Sequence, residues 1–343
     1  MLELQHLHHH VPVTALAFSA DDDYIFAGEG HFLCVYDVKP QHRLARLEVF
    51  EQQAIQGIIV EDSAQSRLIV WGGHLVRSIE CRQNRCSGVV LEPGPVCKAT
   101  DWILDASFSP QADGGKQDLV AFVTTHNALT ISSTEALTNG GSRTSDPELK
   151  PLISGTNSLL YCAHIQCQTP SHCLIVSGTA FGDVIVWSAF LSHNATGDMT
   201  TSTQTHYTFS AHEGSVFGVQ LSPVSTGHQH DYVGACERLL ATCSDDRMIK
   251  VWDLSTLPSR DDEARPVRGT GYRSITATPA ESAPRCIAKT LGHASRIWHI
   301  RFLPPTNFHQ QRLMSFGEDA TALSWHLTLL PISPGHTAHD PTH

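Results

Sequence analysis

The sequence predicts an all-β β-propeller of about six blades, and three observations carry that prediction. The first is one well-formed hairpin over residues 238–254. An apolar strand ends in small hydroxyl residues, passes through the polar turn Asp245-Asp246, and continues as an alternating strand that closes on Trp252-Asp253. The carboxylates suit the turn because they hydrogen-bond nearby backbone N–H groups. Ile249 and Val251 fall on one face and Lys250 and Trp252 on the other, the period of a strand. The closing Trp-Asp pair is the signature of a WD40 repeat, and Ala211-His212 and Gly292-His293 stand where such repeats carry Gly-His.

The second observation is a recurring register. Val13/Leu16/Phe18, Ile55/Ile58/Val60, Ile103/Ala106/Phe108, Leu160/Ala163/Ile165, Val216/Val219/Leu221 and Ile297/Ile300/Phe302 share one five-residue span, and the last two positions of each alternate as a strand does. The third is composition. The 343 residues are 41% hydrophobic and only 17% charged, with Thr, Ser, Val and His plentiful, which favours strands over helices.

Taken in order, each triplet opens a unit. A second, apolar strand follows at 24–28, 68–72, 119–123 and 174–178, in the first part of 238–254, and at 313–317. A turn and a third strand follow at 32–38, 75–79, 128–132, 184–188, 248–254 and 322–327. Trp187, Trp252 and Trp325 hold one place near the end of that third strand, and Tyr36 takes it in the first unit. Residues 43–49 and 285–291 are the clearest outer, fourth strands. An isolated four-stranded unit cannot bury both faces, so the units are expected to stack radially in one domain.

That domain is expected over residues 1–330, with polar loop insertions at 134–150, 192–206 and 255–284 and a disordered tail at 331–343. Six units suggest a seven-bladed propeller that is truncated or incompletely closed. The run His6-Leu7-His8-His9-His10 reads as a polar lead-in, since consecutive histidines lack the spacing of a zinc site. Asn194-Ala195-Thr196 matches a glycosylation acceptor by chance in a chain with no basic and apolar leader.

No apolar run approaches the ~20 residues that span a bilayer, so a cytoplasmic protein is expected. The formal net charge of −11 argues against strong electrostatic binding of nucleic acid or anionic membrane by the chain alone. Ten scattered cysteines, with no Cys-x-x-Cys, read as buried free thiols rather than a disulfide framework. No glycine-rich phosphate loop and no metal-site spacing occurs, and neither cofactor nor metal is expected.

Two groups of residues stand out. His212, Ser244, Asp246 and Trp252 suggest a hydrogen-bonded chain. It is better read as a brace that ties the loop before a blade to its inner turn than as a catalytic set, because an indole N–H only donates. A matching set in the sixth unit looks incomplete, with Gly317 at the hydroxyl position, and the fourth unit has Trp187 without a matching Asp. The second group flanks the first apolar residue of each triplet: Trp102, Tyr161, Phe217, Arg296 and Trp298. These residue types are enriched at interface hot spots. They are expected to converge on one rim of the propeller, either in contact with a partner or packed against a neighbouring blade.

Four segments resemble the N-terminal propeller of the WD-repeat protein 6 family: residues 12–16 (Pro-Val-Thr-Ala-Leu), 26–30 (Phe-Ala-Gly-Glu-Gly), 101–106 (Asp-Trp-Ile-Leu-Asp-Ala) and 292–298 (Gly-His-Ala-Ser-Arg-Ile-Trp). Phe316-Gly317-Glu318-Asp319 followed by Trp325 is similar too. The resemblance implies a non-catalytic partner of an FtsJ-type tRNA ribose 2′-O-methyltransferase that modifies the anticodon wobble nucleotide, with S-adenosylmethionine bound by that enzyme. It also implies, less specifically, an interaction scaffold in endosomal recycling or signalling. Members of the family are much longer, so the chain is expected to be a fragment or a short form.

Overall fold

The computed structural model describes residues 12–39, 42–61, 67–84, 88–110, 119–139, 148–154, 158–193, 199–223, 238–254, 283–307 and 310–328. The described strands form an all-β architecture of six successive blades of the propeller type, in which neighbouring strands pair mainly antiparallel. The first blade is β1 (Val13–Phe18), β2 (Tyr24–Glu29), β3 (Phe32–Asp37) and β4 (Arg43–Glu48). The second is β5 (Gly57–Val60), β6 (Arg67–Gly72), β7 (Leu75–Asn84) and β8 (Gly88–Ala99). The third begins with β9 (Ile103–Phe108), β10 (Leu119–Thr124) and β11 (Ala128–Ser133). A short helix α1 (Thr134–Asn139) follows, then β12 (Glu148–Leu149), which joins β8 in parallel, and β13 (Ile153–Ser154), which completes the third blade beside β11. The fourth is β14 (Leu160–Thr169), β15 (His172–Thr179), β16 (Asp183–His193) and β17 (Met199–Ser210). The fifth is β18 (Val216–Leu221), β19 (Leu239–Ser244), β20 (Met248–Asp253) and β21 (Arg285–Leu291). The sixth is β22 (Ile297–Asn307), β23 (Gln310–Gly317) and β24 (Ala322–Thr328).

The chain forms two compact units, residues 1–177 with 186–205, and residues 178–185 with 206–343. The division runs through the fourth blade. Within the first unit, β1, β5, β9 and β14 are successive neighbours. Phe26, Leu33, Val35, Ile55, Leu68 and Ile79 fill the layer between the first two blades. Trp71, Val76, Ile103, Phe122, Leu137 and Leu149 fill the next. Within the second unit, β18 lies beside β22, and Leu239, Val251, Ile297, Ile300 and Leu313 form the layer between the fifth and sixth blades. The second strands of the second to fifth blades are buried along nearly their whole length, so they read as continuous apolar runs rather than alternating ones. Each fully buried Leu, Ile or Phe contributes roughly 1.5–3 kcal/mol of transfer free energy to these layers.

Gly57 shows how closely one layer is packed. A Cβ there would lie 1.9 Å from the Trp71 ring, so the strand approaches the indole only because position 57 has no side chain. Gly182 combines a φ of +86° with an approach to the His212 carbonyl that a Cβ would obstruct. The glycine therefore serves both the β15–β16 turn and the loop packed on it.

Two stretches read as loops hold regular structure. In 134–150, Ser133 Oγ accepts the Ala136 N–H at 3.1 Å and caps α1, whose Leu137 is buried in the layer above. The Ser78 hydroxyl donates to the Leu137 carbonyl at 2.8 Å and ties the helix to β7. In 192–206, β17 begins at Met199 and supplies the outer strand of the fourth blade. Its Thr-rich sequence lacks apolar alternation because an outermost strand needs little burial, while β-branched Thr still favours the extended chain. The lead-in histidines, residues 194–198, nearly all of the third insertion and the 331–343 tail lie outside the described residues. Among the described residues no helix is long and apolar enough to cross a membrane.

Candidate interaction surface

The candidate surface rests on buried polar braces. In the fifth blade His212 lies in the loop before β18, Thr242 on β19, Trp252 on β20, and Asp246 in the turn between those strands. The Trp252 indole N–H donates to Thr242 Oγ1 at 3.0 Å, and His212 Nε2 lies 2.8 Å from the same oxygen. His212 Nδ1 lies 2.9 Å from Asp246 Oδ2. In the neutral ring the proton sits on Nδ1, facing a carboxylate that only accepts, which leaves Nε2 to accept from the Thr242 hydroxyl. The chain then runs from indole to hydroxyl to imidazole to carboxylate with every member satisfied. Burial alone would raise the Asp246 carboxyl. The hydrogen bond from His212, with the backbone N–H groups of Met248 and Glu213, outweighs it and holds the group below its ordinary value.

The hydroxyl in this brace is Thr242, not the Ser244 that the sequence suggested. Trp252 faces Leu240 across the sheet, so its indole reaches the diagonal neighbour two residues on, which is Thr242. Ser244 sits two residues further, where it bonds the turn: its hydroxyl donates to Asp245 Oδ1 and accepts the Asp246 N–H, both at 3.2 Å.

The same register corrects the sixth blade. Trp325 faces Leu313, and the Trp325 indole donates to Ser315 Oγ at 2.8 Å. His293 Nε2 lies 2.7 Å from that oxygen, and Nδ1 lies 3.1 Å from Asp319 Oδ1. The set is complete. Gly317 is not a lost hydroxyl but a clearance, since a Cβ there would come within 2.5 Å of His293 Nδ1. The Thr321 hydroxyl, followed by the Ala294 N–H and His293, holds the Asp319 carboxyl well below the usual carboxylate range. In the fourth blade Asn127 does the work of the histidine. Buried and at φ 57°, its Oδ1 accepts from the Ser177 hydroxyl at 2.8 Å and the Trp187 indole at 3.0 Å. Sequence reasoning missed Asn127. Its one local signal is a residue type that tolerates the left-handed turn.

His212, Thr242 and Trp252 are buried, so this histidine–hydroxyl pair is closed to a substrate and acts as a fastening. Among the described residues no group of three or more His, Cys, Asp or Glu side chains could hold a metal ion.

Of the five aromatic and arginine side chains expected on one rim, Trp102 and Tyr161 fall in the first unit and Phe217, Arg296 and Trp298 in the second, while Leu16, Phe18, Phe181 and Leu291 are exposed elsewhere. In the first, Trp102 and Tyr161 are each 50% exposed and Leu159 is 59% exposed. The turn after β10 links them. Thr125 donates its N–H to the Trp102 carbonyl at 2.9 Å, and its own carbonyl accepts from Leu160 at 2.8 Å. Asp101 fixes that turn, accepting from the Thr125 hydroxyl at 2.7 Å and the His126 N–H at 2.9 Å, while Oδ2 also lies 2.9 Å from His126 Nδ1. Burial would raise the Asp101 carboxyl, but the bonds from Thr125 and His126 overcome it and hold the group well below the ordinary range. The His74 ring stands edge-on to Trp102 at 6.1 Å. In the second unit the Phe217 and Trp298 rings meet at 4.7 Å with a 43° tilt. The Arg296 guanidinium lies 5.6 Å from the Trp298 ring centroid and pairs with Glu318 at 3.1 Å. Phe217 is half-buried, whereas Trp298 and Arg296 are exposed.

The family model described as WD domain, G-beta repeat (WD40) matches residues 2–37 and 203–253. The second stretch contains the fifth-blade brace. Blades, braces and match together fit a WD-repeat protein. No curated protein matches the chain. WD40 repeats suggest an interaction scaffold, and exposed aromatic side chains set on rigid braced loops are the physical form such a surface takes.

Proposed function

We propose that the chain is a non-catalytic scaffold that binds a protein partner through its exposed aromatic side chains. The partner is an FtsJ-type tRNA ribose 2′-O-methyltransferase, and the outcome is 2′-O-methylation of the anticodon wobble nucleotide. The observation that carries this reading is the exposure of Trp102 and Trp298. These tryptophans lie within the two segments, 101–106 and 292–298, that most resemble the WD-repeat protein 6 family, and they stand out from loops already fixed by Asp101 and Asp319. Preorganised aromatic anchors bind with little loss of conformational freedom. The scaffold contributes position rather than bond chemistry, and S-adenosylmethionine belongs to the enzyme.

Co-purification and gene deletion test the pairing. The methyltransferase should accompany the chain, and wobble 2′-O-methylation should disappear in the deletion strain. Normal methylation there would sink the proposal, and capture of trafficking or signalling proteins without the methyltransferase would favour the second reading. Trp102→Ala and Trp298→Ala should each weaken partner binding by about 2 kcal/mol or more, roughly thirtyfold in Kd. Their unfolding midpoints should stay near the wild-type value. A variant that instead loses stability marks its tryptophan as packing rather than contact.

A further inference from the structure

Cys167 near the end of β14 and Cys173 near the start of β15 stand six residues apart across one hairpin turn. Their Sγ atoms are 3.0 Å apart, within about 1 Å of a covalent ~2.05 Å sulfur–sulfur bond. The two thiols are not equivalent. Cys167 is 9% exposed and Cys173 2%. Cys167 is also held from the neighbouring blade, where Ser107 Oγ on β9 accepts its backbone N–H at 3.3 Å. Both line a small, apolar, partly open cavity together with Ser109, Leu119, Pro170 and Leu191. The cavity has room for about one water molecule, and Cys167 is the thiol nearer to solvent.

We infer that Cys167 and Cys173 are a redox-active dithiol that closes to a reversible disulfide by exchange with a low-molecular-weight disulfide such as oxidised glutathione. Cys167 loses its proton to solvent and attacks one glutathione sulfur. The other glutathione leaves as a thiolate and takes up a proton. Cys173 then gives up its proton and attacks the Cys167 sulfur, which expels the second glutathione. The protein loses two electrons and two protons, and one glutathione disulfide becomes two thiols. The order follows from the environment. Cys167 is the less buried of the two and attacks first, and Cys173, 2% exposed and with its thiol held above the ordinary range by the bond with Cys167 and by burial, serves as the resolving thiol. The bridge locks β14 to β15 at the point where Cys167 already holds β9.

The test uses the full chain equilibrated in glutathione buffers of graded reduced-to-oxidised ratio, quenched in acid, alkylated and mapped by peptic digestion and mass spectrometry. As the ratio becomes oxidising, the peptide spanning both cysteines should become about 2 Da lighter and resist alkylation, and dithiothreitol should reverse the change. Cys173→Ser should accumulate a glutathione adduct on Cys167 about tenfold faster than Cys167→Ser accumulates one on Cys173. Alkylation of both thiols at every ratio overturns the inference, as does a bridge from either cysteine to a different one. Equal adduct rates in the two variants overturn the assigned order. The wild-type map decides the bridge by itself, so a variant that folds poorly does not shelter the proposal.

Discussion

One oxygen atom, Thr242 Oγ1, serves both the His212 imidazole and the Trp252 indole in a site closed to water. Removing it orphans both groups at once. Thr242→Val keeps the shape and should cost about 2–4 kcal/mol, since each buried polar group left without a partner costs roughly 1–3 kcal/mol. Ser244→Ala removes only turn bonds and should cost about 1 kcal/mol. Urea unfolding of the two variants compares them directly, and equal losses would refute the brace as drawn. Three of its members were legible in the sequence, because His212, Asp246 and Trp252 sit at positions fixed by the repeat. The hydroxyl was not. Thr242 and Ser244 share one face of β19, and only the pairing of Leu240 with Trp252 chooses between them. Asn127 was less legible still, because its partners Ser177 and Trp187 lie 50 and 60 residues away along the chain.

Between elements, Asp101 does the comparable work: one carboxylate holds the loop after β8 against the turn between β10 and β11, with Trp102 on the outer side. Because its folded value is depressed, the stabilisation is fully present above the ordinary carboxylate pKa of about 3.9 and is lost as pH falls through the lower folded value. Asp101→Asn should therefore lower Tm near neutral pH, and the gap from wild type should narrow below about pH 4. A gap that stays constant down to acid pH would show that the charge is not what holds the turn. The variant should also weaken partner binding through Trp102, whose loop it loosens. The inner three strands of every blade were legible because a register that buries side chains in the later blades recurs in the first, although Val13, Leu16 and Phe18 are exposed there. β17 and α1 were not. The strand lies at an edge with few apolar positions, apart from the buried Phe209, and the helix is a single capped turn whose Leu137 alone reaches the core.

At the scale of the whole chain, repetition and charge point in different directions, and the conflict is informative. Tandem blades and exposed aromatic side chains favour a binding protein, and the resemblance favours one that works on tRNA. Yet the net charge is −11, and 34 acidic residues face 23 basic ones. Affinity for a polyanion comes largely from phosphate neutralisation and the counterions it releases, so a chain of this charge gains little of that free energy. Arg296, beside the exposed Trp298 ring, is paired with Glu318 rather than free for a phosphate. In the proposed role the methyltransferase supplies most of the RNA contact and the propeller binds the enzyme. The purified chain alone should then retain tRNA more weakly than about 0.1 mM at roughly 0.15 M salt in a filter-binding assay. Its complex with the methyltransferase should bind more tightly than the enzyme alone, with a salt slope set by the enzyme. Micromolar binding by the isolated chain, falling steeply with salt, would mean that local basic surface outweighs the net charge and that the propeller itself grips the RNA.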